Sequence, residues 1–149
     1  MSLESKIVED LKAAMKAKDK KRLRGVRAIK AAILLEKTKG SDHTISEDDE
    51  IRILQKLVKQ RKDSVAIYEK EGRDDLALTE KEEIEIIEQY LPEQLSPEEL
   101  ATEVKAIIEK VGATSMRDMG KVMGMATKAL AGRADGKSIS AKVKELLTS

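Results

Sequence analysis

Gly120-Lys-Val-Met-Gly124, followed by Gly132-Arg-Ala-Asp-Gly136-Lys137-Ser138, is the stretch on which the choice of fold turns. Four of the eight glycines fall here, although glycine is costly inside a helix and useful at a cap or a close backbone approach. The second segment invites comparison with a phosphate-binding loop. It has one residue too few between its glycines, no strand before it, and eleven residues after Ser138, too few to complete a sheet. An NTPase of the α/β class is excluded. The Gly120-x-x-x-Gly124 pair is no membrane dimer motif either, because Lys121 and Lys128 interrupt any long apolar span. What remains is turn chemistry and close packing in a small helical domain, with Gly120, Gly124, Gly132 and Gly136 shaping the backbone.

Composition agrees with helices. Hydrophobic residues make up 40% and charged residues 38%, with two Tyr and no Phe or Trp. The core is therefore built from Leu, Ile, Val, Met and Ala, which suits helix packing better than a sandwich. There is no cysteine, so disulfides and thiolate metal sites are out of reach. The first residues do not read as a signal peptide, and no 18-residue apolar run exists, so the expectation is a soluble, cytoplasmic protein without a membrane partner. The net charge of +1 hides a segregation: residues 1–40 carry +7, residues 41–100 carry −10 and residues 101–149 carry +4. Basic-against-acidic association is as natural a consequence as nucleic-acid binding.

Reading outward, each segment has helical spacing and its own punctuation. Leu3, Ile7, Leu11 and Met15 form an amphipathic stripe that Ser2 can cap, and Leu23, Val26, Ile29 and Ile33 continue it to about Lys39 after a cap at Asp19. Gly40-Ser-Asp-His43 reads as a loop, and His43 has no second His or Cys with which to share a metal. Ser46 caps the next helix. The four acids Glu47–Glu50 sit in its first turn, as the helix dipole favours, without the Gly turn of a Ca²⁺ loop. Ile51, Leu54, Val58, Val65 and Tyr68 mark a helix of about 24 residues that stops at Gly72. Asp74 reads as the cap of another helix through Ile87, although the capping-box pattern Thr79-Glu-Lys-Glu82 offers a later start.

Pro92 ends that helix near Tyr90, and Ser96-Pro97-Glu98-Glu99 opens the next, which makes this segment the domain boundary. The expected fold is all-α, with an N-terminal helical domain over 1–94 and a small three-helix tail domain over 95–149. In the tail, one helix runs to Gly112. A second covers Met119–Leu130 after a start at Ser115 or Asp118, and a third follows Gly136. The methionines at 116, 119 and 123 read as core fillers.

No catalytic constellation is legible in the chain, which leaves open whether it is an enzyme. A nucleophile needs a base beside it and a third group to orient that base, and no such set is present. No catalytic residue, metal ligand or cofactor is assigned. Asp118–Gly124, Gly132–Lys137 and Val143-Lys-Glu-Leu-Leu147 resemble the tail of YqeY-like proteins, as do Lys59-Gln-Arg-Lys62, Gly72-Arg73-Asp74 and Tyr90-Leu-Pro-Glu93 upstream. That tail is similar to the C-terminal domain of the B subunit of the glutaminyl/asparaginyl-tRNA amidotransferase. The resemblance implies a tRNA-supporting surface whose cations are Lys121, Arg133 and Lys137. A rival basic patch consists of Lys20, Lys21, Arg22, Arg24 and Arg27. With two aromatics only, phosphate contacts on folded RNA fit better than base stacking. Three functions stay open: an RNA-binding accessory module for tRNA or amidotransferase subunits, a protein-interaction or assembly module, and a carbon–nitrogen ligase with glutamine as amido donor.

Overall fold

The computed structural model describes residues 2–39 and 44–148, and among them it holds seven α-helices, one 3-10 turn and no strand. The reading of Gly40–His43 lies outside the described residues. Contacts divide the chain into two compact units, one ending at Leu91 and the other beginning at Pro92. The first unit contains α1 (Leu3–Ala17), α2 (Lys20–Lys37), α3 (Glu47–Lys70) and α4 (Asp74–Glu88). The second contains α5 (Pro97–Val111), the 3-10 turn Met116–Asp118, α6 (Met119–Ala129) and α7 (Gly136–Thr148).

In the first unit, local chemistry sets the helix ends. The Ser2 hydroxyl accepts from the Ser5 N–H, Asp19 accepts from the Arg22 N–H, and Ser46 and Asp49 form a reciprocal capping box. Asp49 also pairs with Arg52, while Glu50 accepts from the Leu3 N–H at 3.2 Å, so acids of this first turn serve backbone groups and neighbours. Gly72 closes α3 at φ +73°. Asp74 is not the cap of α4: Arg73 holds the cap position without a side-chain bond, and Asp74 is already the first helical residue. The longer of the two starts is thus the one adopted, and Thr79 lies inside the helix. α2 packs against α1, α3 and α4 and buries Val26, Ile29 and Ile33. These residues join Leu3, Ile7, Leu54, Val58 and Ile87 in one core. Met15, expected on the apolar stripe, is exposed.

One close approach in this unit is at a glycine that spacing did not single out. A Cβ placed on Gly25 would stand 2.5 Å from Ile86 Cγ2 and 2.7 Å from Ile86 Cβ. Only hydrogen fits between α2 and α4 at this point.

The second unit starts with the anticipated arrangement of Ser96 at the cap, Pro97 at the first position and Glu99 bonding back. α5 stops at Gly112, φ +74°. Ser115 and Asp118 then cap the 3-10 turn, and α6 follows it directly. Val104, Val122, Ala126, Leu130, Ile139 and Val143 form the centre of the core. Met119, Met123 and Met125 pack around it, whereas Met116 is exposed.

Candidate nucleic-acid interface

The two candidate basic regions differ in how far the fold has already neutralised them. In the N-terminal patch, Lys21 lies 2.8 Å and Arg24 3.6 Å from the Glu82 carboxylate of α4. Arg22 is 4.0 Å from Asp10 and donates to Gln89 Oε1 at 3.0 Å. The Lys21 ammonium holds the Glu82 carboxyl below its usual range, and Arg24 adds to the effect. Lys20 and Arg27 remain exposed and make no ion pair among the described residues. The patch is therefore two free cations beside three that tie α2 to α1 and α4.

The tail cations do not form one cluster. Lys121 stands in the first turn of α6, whereas Arg133 lies beyond its other end and Lys137 opens α7. The helix between them spans about 12 Å from Lys121 to Ala129. Lys121 sits near Asp118, whose carboxyl is held low by the Thr114 and Ser115 N–H groups and further by this ammonium. Arg133 lies near Glu99, held low first by Ser96 and then by the guanidinium. The N-terminus of α7 is served from within the chain. Asp135 already accepts from the Ser138 N–H at 2.7 Å, so a carboxylate occupies that terminus. Lys137 is exposed and unpaired among the described residues.

The four glycines separate in the same way. Gly132 alone among them has a positive φ, +79°. Its carbonyl accepts from Gln94 Nε2 at 2.5 Å, and the Arg133 carbonyl accepts from the Leu95 N–H at 2.9 Å. This turn is thus clamped onto the segment before α5. Gly120, Gly124 and Gly136 have nothing within 4 Å of an added Cβ, so none is required for packing inside the chain. On the outward face of α6, Gly120, Gly124 and Thr127 are exposed beside Lys121 and Lys128. The two lysines are seven residues apart, so they share one edge of that face about 10 Å apart along the axis. No acid lies within α6. Lys128 was not among the candidates from sequence; its heptad spacing from Lys121 was the available signal.

At the end of the first unit, Tyr90 Oη donates to Asp10 Oδ2, and Lys6 Nζ lies 5.9 Å from the Tyr90 ring centroid. Burial, then the bond to Asp10, raises the phenol from 10.0 to about 12, so it is a structural donor and not an activated nucleophile.

Comparison with known proteins bears on the whole chain. The family model described as Yqey-like protein matches residues 4–147. The chain belongs to the YqeY-like family. Relatives include fungal proteins named "Altered inheritance of mitochondria protein 41, mitochondrial". The one from Vanderwaltozyma polyspora is 35% identical over 117 residues, which is 74% of this chain and 63% of the relative. That from Kluyveromyces lactis is 38% identical over 82 residues, 55% of this chain and 44% of the relative. That from Pyrenophora tritici-repentis is 28% identical over 141 residues, 93% of this chain and 77% of the relative. The chain thus spans under two thirds of the first two relatives. Their names place those proteins in mitochondria. Among the described residues of this YqeY-like chain, no helix is long and apolar enough to cross a membrane.

Proposed function

We propose that this YqeY-like chain is an RNA-binding accessory module whose contact surface is the outward face of α6. The observation that carries the reading is the placing of Lys121 and Lys128 on one edge of α6, a helix with no acid of its own, beside exposed Gly120 and Gly124. Glycines with open space above them let a phosphate backbone come close, and the lysines supply charge without reading sequence. Lys137 and Arg133 extend the surface from the far end of the helix. Folded RNA such as tRNA is the ligand of choice, because the chain has no aromatic platform for splayed bases. In this reading the domains are 1–94, a helical support, and 95–149, the RNA-contacting tail, and the compartment is the cytoplasm.

The N-terminal patch is the weaker candidate, since Glu82 and Asp10 already hold Lys21, Arg22 and Arg24. The test is tRNA binding by fluorescence anisotropy across a salt series. Each phosphate contact contributes a log–log slope of about −0.7 to −0.9. Lys121→Glu with Lys128→Glu should weaken binding and flatten the slope by about two contacts, while changing stability by no more than about 0.5 kcal/mol at exposed sites. Unchanged affinity and slope in the folded double variant would remove RNA binding from α6. Loss confined to Lys20→Glu with Arg27→Glu would move it to α2.

A further inference from the structure

α1 and α2 pack as an antiparallel hairpin, closed where the Glu4 carboxylate accepts from Lys37 Nζ at 2.8 and 3.0 Å. That pair fixes which sides meet at the seam. Val8, Lys12 and Met15 follow Glu4 along α1 at steps of four, four and three residues, and so share its stripe. Leu34, Lys30 and Arg27 precede Lys37 along α2 at steps of three, four and three. All six are exposed, with Val8, Met15 and Leu34 at 38%, 56% and 50%. The seam points away from the rest of the unit. Leu34 is about two and a half turns along α2 from Gly25, which meets Ile86 on the α4 side. Val8 lies about 160° around α1 from Asp10, which accepts from Tyr90.

Charge on this face is one-sided. Lys12, Arg27 and Lys30 make no ion pair among the described residues. The acids of the two helices are engaged: Glu4 with Lys37, Asp10 with Tyr90, and Glu36 with Lys39 at 3.1 Å. Glu9 is left, about 100° around α1 from Val8. Each apolar side chain of the face has a cation one turn away, Lys12 beside Val8 and Met15, and Lys30 beside Leu34. A protein interface depletes charge from its apolar centre, and a phosphate backbone has no use for Val8, Met15 and Leu34. A lipid headgroup layer takes both kinds of group. Apolar tips reach the acyl boundary, while lysine and arginine stems lie along it with their charges on the phosphates. We propose that the α1–α2 seam rests on an anionic membrane surface, with Val8, Met15 and Leu34 entering the headgroup layer and Lys12, Arg27 and Lys30 on its phosphates. Contact of this kind needs no spanning helix. It is independent of the RNA reading, whose residues lie on α6.

Co-sedimentation of the full chain with vesicles tests it. The chain should partition onto phosphatidylcholine vesicles that carry phosphatidylserine and not onto phosphatidylcholine alone, and should come off as salt is raised from about 50 to 500 mM. A cation near an anionic surface is worth about fivefold in partitioning. Lys12→Ala and Lys30→Ala should therefore each lower binding about fivefold, and together about 25-fold. The chain has no tryptophan, so Leu34→Trp adds a single reporter. Its emission should shift to the blue on the anionic vesicles, while that of Leu78→Trp, on α4, should not. Helical circular dichroism unchanged in each variant separates a lost contact from a lost fold. Failure to bind anionic vesicles overturns the proposal, as does binding indifferent to the lysine substitutions or an unmoved Leu34→Trp emission on bound protein. If Lys12→Ala with Lys30→Ala lowers tRNA binding and leaves vesicle binding unchanged, the face belongs to a nucleic acid and the proposal also fails. Lys121→Glu with Lys128→Glu should leave vesicle binding in place, so the two readings fail separately.

Discussion

Replacing Gly25 by Ala should destabilise the first unit, although alanine is the better helix former. The added methyl would lie 2.5 Å from Ile86 Cγ2 and 2.7 Å from Ile86 Cβ, where carbon atoms normally stand about 3.5–4.0 Å apart. A new rotamer can move Cγ2 but not Cβ, which is fixed to the α4 backbone. α2 and α4 must therefore separate by roughly 1 Å at their closest point, and the core around Val26 and Ile87 loosens with them. Overpacking of this kind costs about 1–3 kcal/mol. The gain in helix propensity returns about 1 kcal/mol, leaving a net loss of about 1 and at most about 2 kcal/mol. Gly124→Ala on α6 carries the propensity gain without the clash, because nothing lies within 4 Å of its new methyl. It should stabilise the second unit by up to about 1 kcal/mol. The chain has two tyrosines, Tyr68 and Tyr90, both in the first unit, so tyrosine fluorescence in a urea titration follows that unit alone. Gly25→Ala should lower the fluorescence midpoint, while Gly124→Ala should leave it in place and shift only a circular-dichroism component. A fluorescence midpoint raised by Gly25→Ala would refute the close approach of α2 and α4.

Tyr90→Phe should cost about 1.5–3 kcal/mol in the same titration, because the phenol donates to a carboxylate. The pH dependence follows from its raised pKa: the stability is fully present below pH 10 and lost as pH rises through about 12, and ultraviolet titration of the phenolate should place one tyrosine at the upper end of that window. Ser96→Ala breaks the capping box of α5 and should cost the second unit about 0.5–2 kcal/mol, read by circular dichroism with the fluorescence midpoint unmoved. Gly132→Ala forces a side chain to φ +79° in a buried turn and should cost at least about 1 kcal/mol, whereas Gly136→Ala should be close to neutral or stabilising.

The contrast between what was legible and what was not follows sequence distance. Ser2, Asp19, Ser46 and Ser96 each act on the N–H group three residues on, and Gly72 and Gly112 act through their own φ, so a short window contains cause and effect. Asp74 failed as a cap because an acid at the first helical position carries the same pattern as one at the cap itself. Gly25 has no local signature, since its reason is Ile86, on another helix. The N-terminal cations read as a free patch because Glu82 lies far along the chain from Lys21 and Arg24, and only the fold puts it between them. The tail glycines had the opposite fault. Their density suggested close packing, yet three of the four face open space, and the candidate surface gained Lys128 once the outward side of α6 was known.

The segment between Tyr90 and Leu95 is short and held at both ends, each within its own unit. Tyr90 is bonded to Asp10, while Gln94 and Leu95 are bonded to the Gly132–Arg133 turn. Between these anchors only Leu91, Pro92 and Glu93 are left, and Leu91 still donates to the Glu88 carbonyl at 3.1 Å. A protease must draw several extended residues into its cleft, more than this span can release. A Glu-specific enzyme should therefore cut at Glu93 only after one anchor has let go. When reclosing outpaces cleavage, the rate at that single bond reports the population of released anchors. The junction then acts as a gauge: the Glu93 cleavage rate, compared between Tyr90→Phe and Gln94→Ala, measures how firmly each side grips.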